Sequence, residues 1–325
     1  MGALDIHHQV VRMLLPLVAV ALGLVGLLWS ADRFVGAAAA TAYRAGMSIM
    51  LVGMTIVSIG TSAPEIVVSV MASLDGTPDL ATGNALGSNI ANIALVLGVT
   101  ALVVPIPVRF SIVRRELPLL LGATGLAGYA LADGQLNSVD AALLLALLVF
   151  SIWWLFRADE GQQEVAGEIP GMALGKALVW LVVTLAVMIA SSRGLVWGAT
   201  ELARSFGVSE LVIGLTVVAI GTSLPELAAC VASALKRHHD LAIGNVIGSN
   251  LFNMLAVLPV PGLLAPGATD PDAAGRDFPV MLGLTLALAA ILLWQRRGRV
   301  GRIVGALLAA SYAFYLFWLG TSLTA

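Results

Sequence analysis

The chain has little charge, little sulfur and almost no histidine. Of its 325 residues, 11% are Asp, Glu, Lys or Arg, while 59% are hydrophobic, and the mean hydropathy is +0.97. Soluble domains carry about 25% charged residues, so a water-soluble enzyme is excluded and a polytopic membrane protein is expected. The net charge of −2, with no basic tract, offers no nucleic-acid surface. One cysteine, Cys230, excludes an intrachain disulfide and a thiolate metal site, and in its apolar run it reads as a helix-packing residue. The four histidines, His7, His8, His238 and His239, fall in the N-terminus or a loop. None lies inside an apolar span, where a catalytic base or a zinc ligand would be needed. Long polar stretches are also missing. Only 158–175 (ADEGQQEVAGEIPGMALG) is sizeable, and it reads as a linker, leaving no room for an extramembrane domain.

What remains is apolar helix. A span needs roughly 20 mostly apolar residues, and ten are expected: 13–32, 46–74, 80–104, 111–132, 138–156, 176–203, 208–235, 241–265, 278–295 and 301–321. Residues 13–31 and the AAAATA beyond Phe34 resemble a secretory signal. That reading is set aside because the sixth span carries Trp197-Gly198-Ala199, similar to Trp29-Ser30-Ala31. Lys and Arg set the orientation. Thirteen lie in or beside odd-numbered gaps between spans, three lie in even gaps or termini, and Arg193 falls within a span. The odd gaps are therefore expected in the cytoplasm and both termini outside. Five spans per half is an odd number, so the second half is expected upside down relative to the first. The expected architecture is an all-α integral membrane protein of two inverted five-helix repeats, 1–157 and 176–325, joined by a cytoplasmic linker at 158–175.

The halves also share a polar signature. Residues 60–98 and 221–259 align without a gap at an offset of 161, with 18 of 39 positions identical. The matches are mostly Gly, Ser, Thr, Asn, Pro and Glu, whereas chance similarity between apolar helices would match Leu and Val. Such duplication points to one site assembled from both halves. Of the 19 acids, only Glu65 and Glu226 lie well inside spans, at matching positions. An intramembrane charge costs at least a few kcal/mol and needs an offsetting partner. Each glutamate follows a proline, Pro64 or Pro225, which breaks the helix and frees the carbonyls of Gly60 and Gly221. Thr61, Ser62, Thr222 and Ser223 add hydroxyls on the same turns. An all-oxygen set of carboxylate, hydroxyl and carbonyl suits a hard cation. The competing reading is a pair of protonated glutamates that only stabilise helix contacts. The second stretch, Gly83-Asn84-Ala85-Leu86-Gly87-Ser88-Asn89-Ile90-Ala91-Asn92, matches Gly244 to Asn253. Ser88 and Asn92 share a helix face, as do Ser249 and Asn253. Gly83 and Gly87 equally suit close helix packing.

Gly-Thr-Ser-x-Pro-Glu followed by Gly-Asn-x-x-Gly-Ser-Asn-x-x-Asn, present twice, resembles the α-repeats of the sodium/calcium exchanger family of cation/Ca²⁺ antiporters, in its compact prokaryotic form. The resemblance covers the whole chain. It implies a secondary antiporter that exchanges Na⁺ for Ca²⁺ by alternating access, with these ions and the lipid bilayer as partners. No cofactor, enzyme activity or nucleic acid is implied, and the location would be the cell inner membrane. It implies that Glu65 and Glu226 are shared acidic ligands, with Thr61, Ser62, Thr222 and Ser223 beside them. Ser88, Ser249, Asn92 and Asn253 follow on the third and eighth spans, and Ser58 and Ala219 match positions that offer backbone carbonyls. Spans one and six resemble the pair that slides across the others.

Asn253 stands where potassium-dependent relatives carry Asp, which speaks against potassium dependence. Ala85-Leu86-Gly87 lacks the Glu of the Ca²⁺/H⁺ branch, which argues against that branch, and proton exchange is carried only as the alternative reading. A cation channel would also use broken helices, but without counter-ion dependence. A membrane hydrolase would need a histidine beside its Ser and Glu groups, and none lies in the spans.

Overall fold

The computed structural model describes residues 3–158, 171–207, 219–295 and 298–322. The expected linker falls largely outside these, as does the start of the expected seventh span. Helices account for nearly all the described chain. α1 is Ala3–Ala45. α2 (Ile49–Val52) runs through a π-helical turn, Gly53–Val57, into α3 (Ser58–Thr61). Then come α4 (Ala63–Leu74), α5 (Pro78–Ala91), a π turn at Asn92–Leu97, α6 (Gly98–Val103), α7 (Phe110–Leu131) and α8 (Ser138–Ala158). The second half holds α9 (Leu174–Ser205), α10 (Ala219–Thr222), α11 (Leu224–Leu235) and α12 (His239–Phe252). A π turn at Asn253–Val257 leads to α13 (Pro259–Leu264). Another at Ala273–Asp277 leads to α14 (Phe278–Trp294), and α15 is Arg302–Ser322.

Among the described residues, seven helices are long and apolar enough to cross a bilayer, and the bent pair Ile49–Thr61 and Ala63–Leu74 makes an eighth. This is a multi-pass membrane protein. The first expected span ends too early. α1 continues past residue 32, and Ala37 to Ala40 of the AAAATA stretch are wholly buried inside the helix. The helices are not quite the whole fold. β1 (Ile106–Pro107) pairs antiparallel with β4 (Arg299–Val300), and β2 (Gln135–Leu136) with β3 (Gly267–Ala268). Each pairing ties a loop of one half to a loop of the other.

The 161-residue offset recurs in the backbone. α4 and α11, α5 and α12, and α6 and α13 have matching ends at this offset. Gly46 and Gly207, which follow α1 and α9, both have positive φ. So do Gly76 and Arg237, in the turns after α4 and α11. Left-handed backbone costs a residue with a Cβ about 1–2 kcal/mol, so its recurrence at Arg237 marks a turn geometry the fold imposes. This register corrects the tryptophan match read from the sequence. At the offset of 161, Trp29 aligns with Ala190 and Trp197 with Gly36.

α1 and α9 lie directly on one another. A Cβ on Gly23 would stand 2.8 Å from the Ser191 carbonyl oxygen, and one on Gly198 would stand 2.6 Å from that of Pro16. Lipid supplies no hydrophobic force between helices, so small residues that admit backbone contact hold such pairs together. α5 and α12 form the centre: Asn89 Nδ2 donates to the Asn250 carbonyl at 3.3 Å. These two residues are equivalents of each other at the offset, so their contact marks the meeting line of the halves.

Candidate cation site

Both proline breaks are present. Ile49–Thr61 and Ala63–Leu74 are bent by 42°. In the second half α10 stops at Thr222 and α11 starts at Leu224, with Pro225 in its first turn. The Gly221 carbonyl freed by Pro225 accepts from Ser192 Oγ of α9 at 2.9 Å. Each glutamate thus sits in the first turn of a helix that begins mid-protein, where the helix dipole favours an anion.

The two carboxylates come together. Glu65 and Glu226 are each 2% exposed. The Glu226 carboxyl faces Glu65, Thr61 and Ser62. Among the described residues, Glu65 Oε2, Glu226 Oε2 and both side-chain polar atoms of Asn253 are buried without a hydrogen-bond partner. Buried polar atoms are almost always partnered. A run of orphaned oxygens around two acids has the chemistry of a cation shell.

The other expected residues lie on the helices that meet at the breaks or on α5 and α12. Thr61, Ser58, Ser88, Ser249, Ser223 and Asn92 are buried, and Thr222 is half-buried. Ser58 is committed through its side chain: Oγ donates to the Gly53 carbonyl at 2.7 Å and to that of Asn245 at 3.1 Å. Ala219 opens α10. Asn92 and Asn253 each begin a π turn. Such turns are frequent at functional sites, and they re-aim the helix at the asparagine. The prolines at 259 and 261 are not needed for this, because the first-half turn at Asn92–Leu97 forms without them.

Sequence reasoning left out Asn245. Its Oδ1 accepts from Thr61 Oγ1 at 3.2 Å, tying α12 to α3, and from Ser249 Oγ of its own helix at 3.5 Å. Its Nδ2 donates to Cys230 Sγ at 3.3 Å, as Asn84 Nδ2 donates to Ser69 Oγ at 3.4 Å in the first half. Asn84 Nδ2 also reaches the Glu65 carbonyl at 3.2 Å. The signal was there, since both asparagines belong to the repeated Gly-Asn. Cys230 holds the position of Ser69, so Cys230→Ser should leave ion exchange unchanged and alter stability by about 1 kcal/mol or less. Thermal unfolding beside a flux assay checks it.

Among the described residues, two clefts run to Thr222 beside the second break. One, of about 390 Å³, runs between α9 and the two breaks, past Arg193, Val196, Pro64, Val68, Thr222 and Pro225. The other, of about 480 Å³, passes Asp277, Tyr312 and Tyr315 to Ser88, Thr222 and Ser223.

The family model for sodium/calcium exchanger proteins matches residues 15–157 and 176–321. The chain belongs to the sodium/calcium exchanger family. CaxA of Alkalimonas amylolytica is 47% identical over 321 residues, 95% of this chain and 100% of that one. The inner membrane protein YrbG of Escherichia coli strain K12 is 46% identical over 321 residues, 93% of this chain and 98% of that one. The solved structure of the sodium-calcium exchanger NCX_Mj, soaked without Na⁺ or Ca²⁺, superposes with a TM-score of 0.81 at 30% identity, covering 92% of this chain and 97% of that one. The exchanger family is a transporter family, and this chain shares its membrane fold.

Proposed function

We propose that the protein is an antiporter of the cell inner membrane that exchanges Na⁺ for Ca²⁺ by alternating access. One observation carries the reading: two equivalent glutamates meet at the helix breaks, each with an unpartnered buried oxygen. Glu65 and Glu226 are the shared carboxylate ligands. Thr61, Ser62, Thr222, Ser223, Ser88, Ser249, Asn92 and Asn253 complete the shell, with backbone carbonyls of Ser58 and Ala219. The chain crosses the membrane ten times as two inverted repeats, 1–157 and 176–325, with both termini outside.

Charge explains the coupling. With both glutamates ionised, the empty site carries two negative charges. One Ca²⁺ neutralises them, and so do two Na⁺. A third Na⁺ on neutral oxygens leaves one positive charge, so exchange of three Na⁺ for one Ca²⁺ moves net charge with sodium. At about 2.3 kcal/mol per charge per 100 mV, an inside-negative potential drives Na⁺ in and Ca²⁺ out. Exchange is obligatory when the empty, charged site cannot cross the apolar barrier.

The test is uptake of radioactive Ca²⁺ into proteoliposomes loaded with Na⁺ and diluted into Na⁺-free buffer, beside K⁺-loaded and acid-loaded controls. Uptake that needs internal Na⁺ is expected, and it should be faster when a K⁺–valinomycin potential makes the interior positive. Uptake driven by the proton gradient alone would replace this reading with Ca²⁺/H⁺ exchange.

A further inference from the structure

Arg193 is an exposed cation in the wall of a cleft that leads to a cation site. A guanidinium has no lone pair for a metal ion, so Arg193 cannot be a ligand of that site and can only donate to an acceptor or pair with an anion. Its equivalent at the 161-residue offset is Asp32 of α1, and Asp32 does have a partner. Lys236, in the turn after α11, lies 2.8 Å from the Asp32 carboxylate and also donates to the Asp32 carbonyl at 2.7 Å. The equivalent of Lys236 is Asp75, in the turn after α4. An acid on α1 facing a base beyond α11 thus becomes a base on α9 and an acid beyond α4, with both signs reversed and the attraction kept.

The backbone supports this equivalence. Asp75 has φ −80° and ψ 2°, and Lys236 has φ −81° and ψ 7°. Their N–H groups donate to Met71 and Ala232, which are themselves equivalents. Each is followed by a residue of positive φ, Gly76 or Arg237.

The two ends of the protein differ in how tightly the pair α1/α9 sits on α4 and α11. Around Asp32 the seam is shut: Ala31, Val35, Ala39 and Ala229 are all buried. Around Arg193 it is open. Val196, Thr200 and Val68, the equivalents of Val35, Ala39 and Ala229, are half-buried in the cleft wall. Among the described residues no ion pair joins Arg193 to Asp75. α1 and α9 touch backbone to backbone at Gly23 and Gly198, and the latches below require the pair to shift as one body.

We propose that Lys236–Asp32 and Asp75–Arg193 are alternating latches. The first holds the seam closed in the state described here. The second forms when α9 closes on α4 at the opposite end, as the first breaks. Exactly one latch is engaged at the end of each half-cycle, so the pairs set the balance between the two access states and the ion cluster need not do so alone. The assignment rests on the alternating-access reading above.

The test reads conformation and not flux. In the Cys230→Ser protein in lipid nanodiscs, with both faces reachable, Val196→Cys reports the open seam and Val35→Cys the closed one through their rates of reaction with a polar maleimide. Lys236→Glu should raise the Val35→Cys rate and lower the Val196→Cys rate, each by about threefold or more, the scale of an exposed ion pair made repulsive. Adding Asp32→Lys should reverse both changes. Asp75→Lys should do the opposite of Lys236→Glu, and Arg193→Asp should rescue it. If Lys236→Glu does not fold, Lys236→Gln carries the same test with a smaller change. Rates that ignore Asp75→Lys, or swapped pairs that fail to restore the parent pattern, would overturn the latches. A protein with the expected labelling but no Na⁺-driven Ca²⁺ uptake would keep the latches and lose the proposed cargo.

Discussion

Glu65→Gln and Glu226→Gln are each expected to lower Ca²⁺ exchange by about a hundredfold or more while the protein folds normally. The size follows from the part each carboxylate plays. Ligand charge count governs the affinity of calcium sites, and even residues that merely support a metal ligand are worth 10–100-fold. Gln keeps the shape and one oxygen but removes the charge, leaving the pair with a single negative charge against a divalent ion. Stability should not suffer. Both carboxylates are buried, each has an oxygen without a partner, and they face one another. Neutralising one removes a repulsion and a desolvation cost. The ion-free variants should therefore melt at or above the parent temperature. Stabilisation by Ca²⁺, about 2.7 kcal/mol at a hundredfold excess over Kd, should vanish. Thermal unfolding with and without Ca²⁺, beside radioactive Ca²⁺ uptake, checks both halves of the expectation. Unaltered Ca²⁺ transport in either variant would remove the shared site.

The features legible in the sequence were those whose cause is local. Pro64 and Pro225 break their helices wherever they stand, because a missing N–H and a ring clash need no tertiary context. The repeat was legible because its polar residues are costly in a membrane. The end of α1 was not. Arg33 reads as the edge of a span, yet the helix continues because Phe34 to Ala40 are enclosed by protein and not by lipid. The π turns at Asn92 and Asn253 leave no mark in composition. The role of Asn245 was hidden too. Its donor Thr61 belongs to the other half, and only the fold brings the two within reach. Arg193 could be interpreted only when its equivalent was seen to be paired.

Gly87→Ala should fold like the parent and yet exchange ions at about a tenth of its rate or less, although among the described residues nothing in this state stands where its new methyl group would go. Among the described residues a Cβ on Gly87 meets no atom within 4 Å, and Gly87 lines the open cleft. The equivalent position on α12, Gly248, is different. A Cβ there would lie 2.5 Å from the Met54 carbonyl oxygen and 2.7 Å from Met54 Cα, and would press on Ser58 Oγ. Two of those three atoms are backbone, which cannot rotate aside. If the two access states exchange the environments of the halves, α5 must become as tightly packed as α12 is now, and Gly87 must then meet what Gly248 meets. Overpacking of this kind costs about 1–3 kcal/mol, and each 1.4 kcal/mol is tenfold in population. Gly248→Ala bears that cost in the present state and should shift the equilibrium the other way. The maleimide rates at Val196→Cys and Val35→Cys separate the two. Gly87→Ala should keep the parent pattern without responding to ions, and Gly248→Ala should invert it. Gly87→Ala that cycles at the parent rate would mean that α5 never closes as α12 does, and the exchange of environments between the halves would have to be given up.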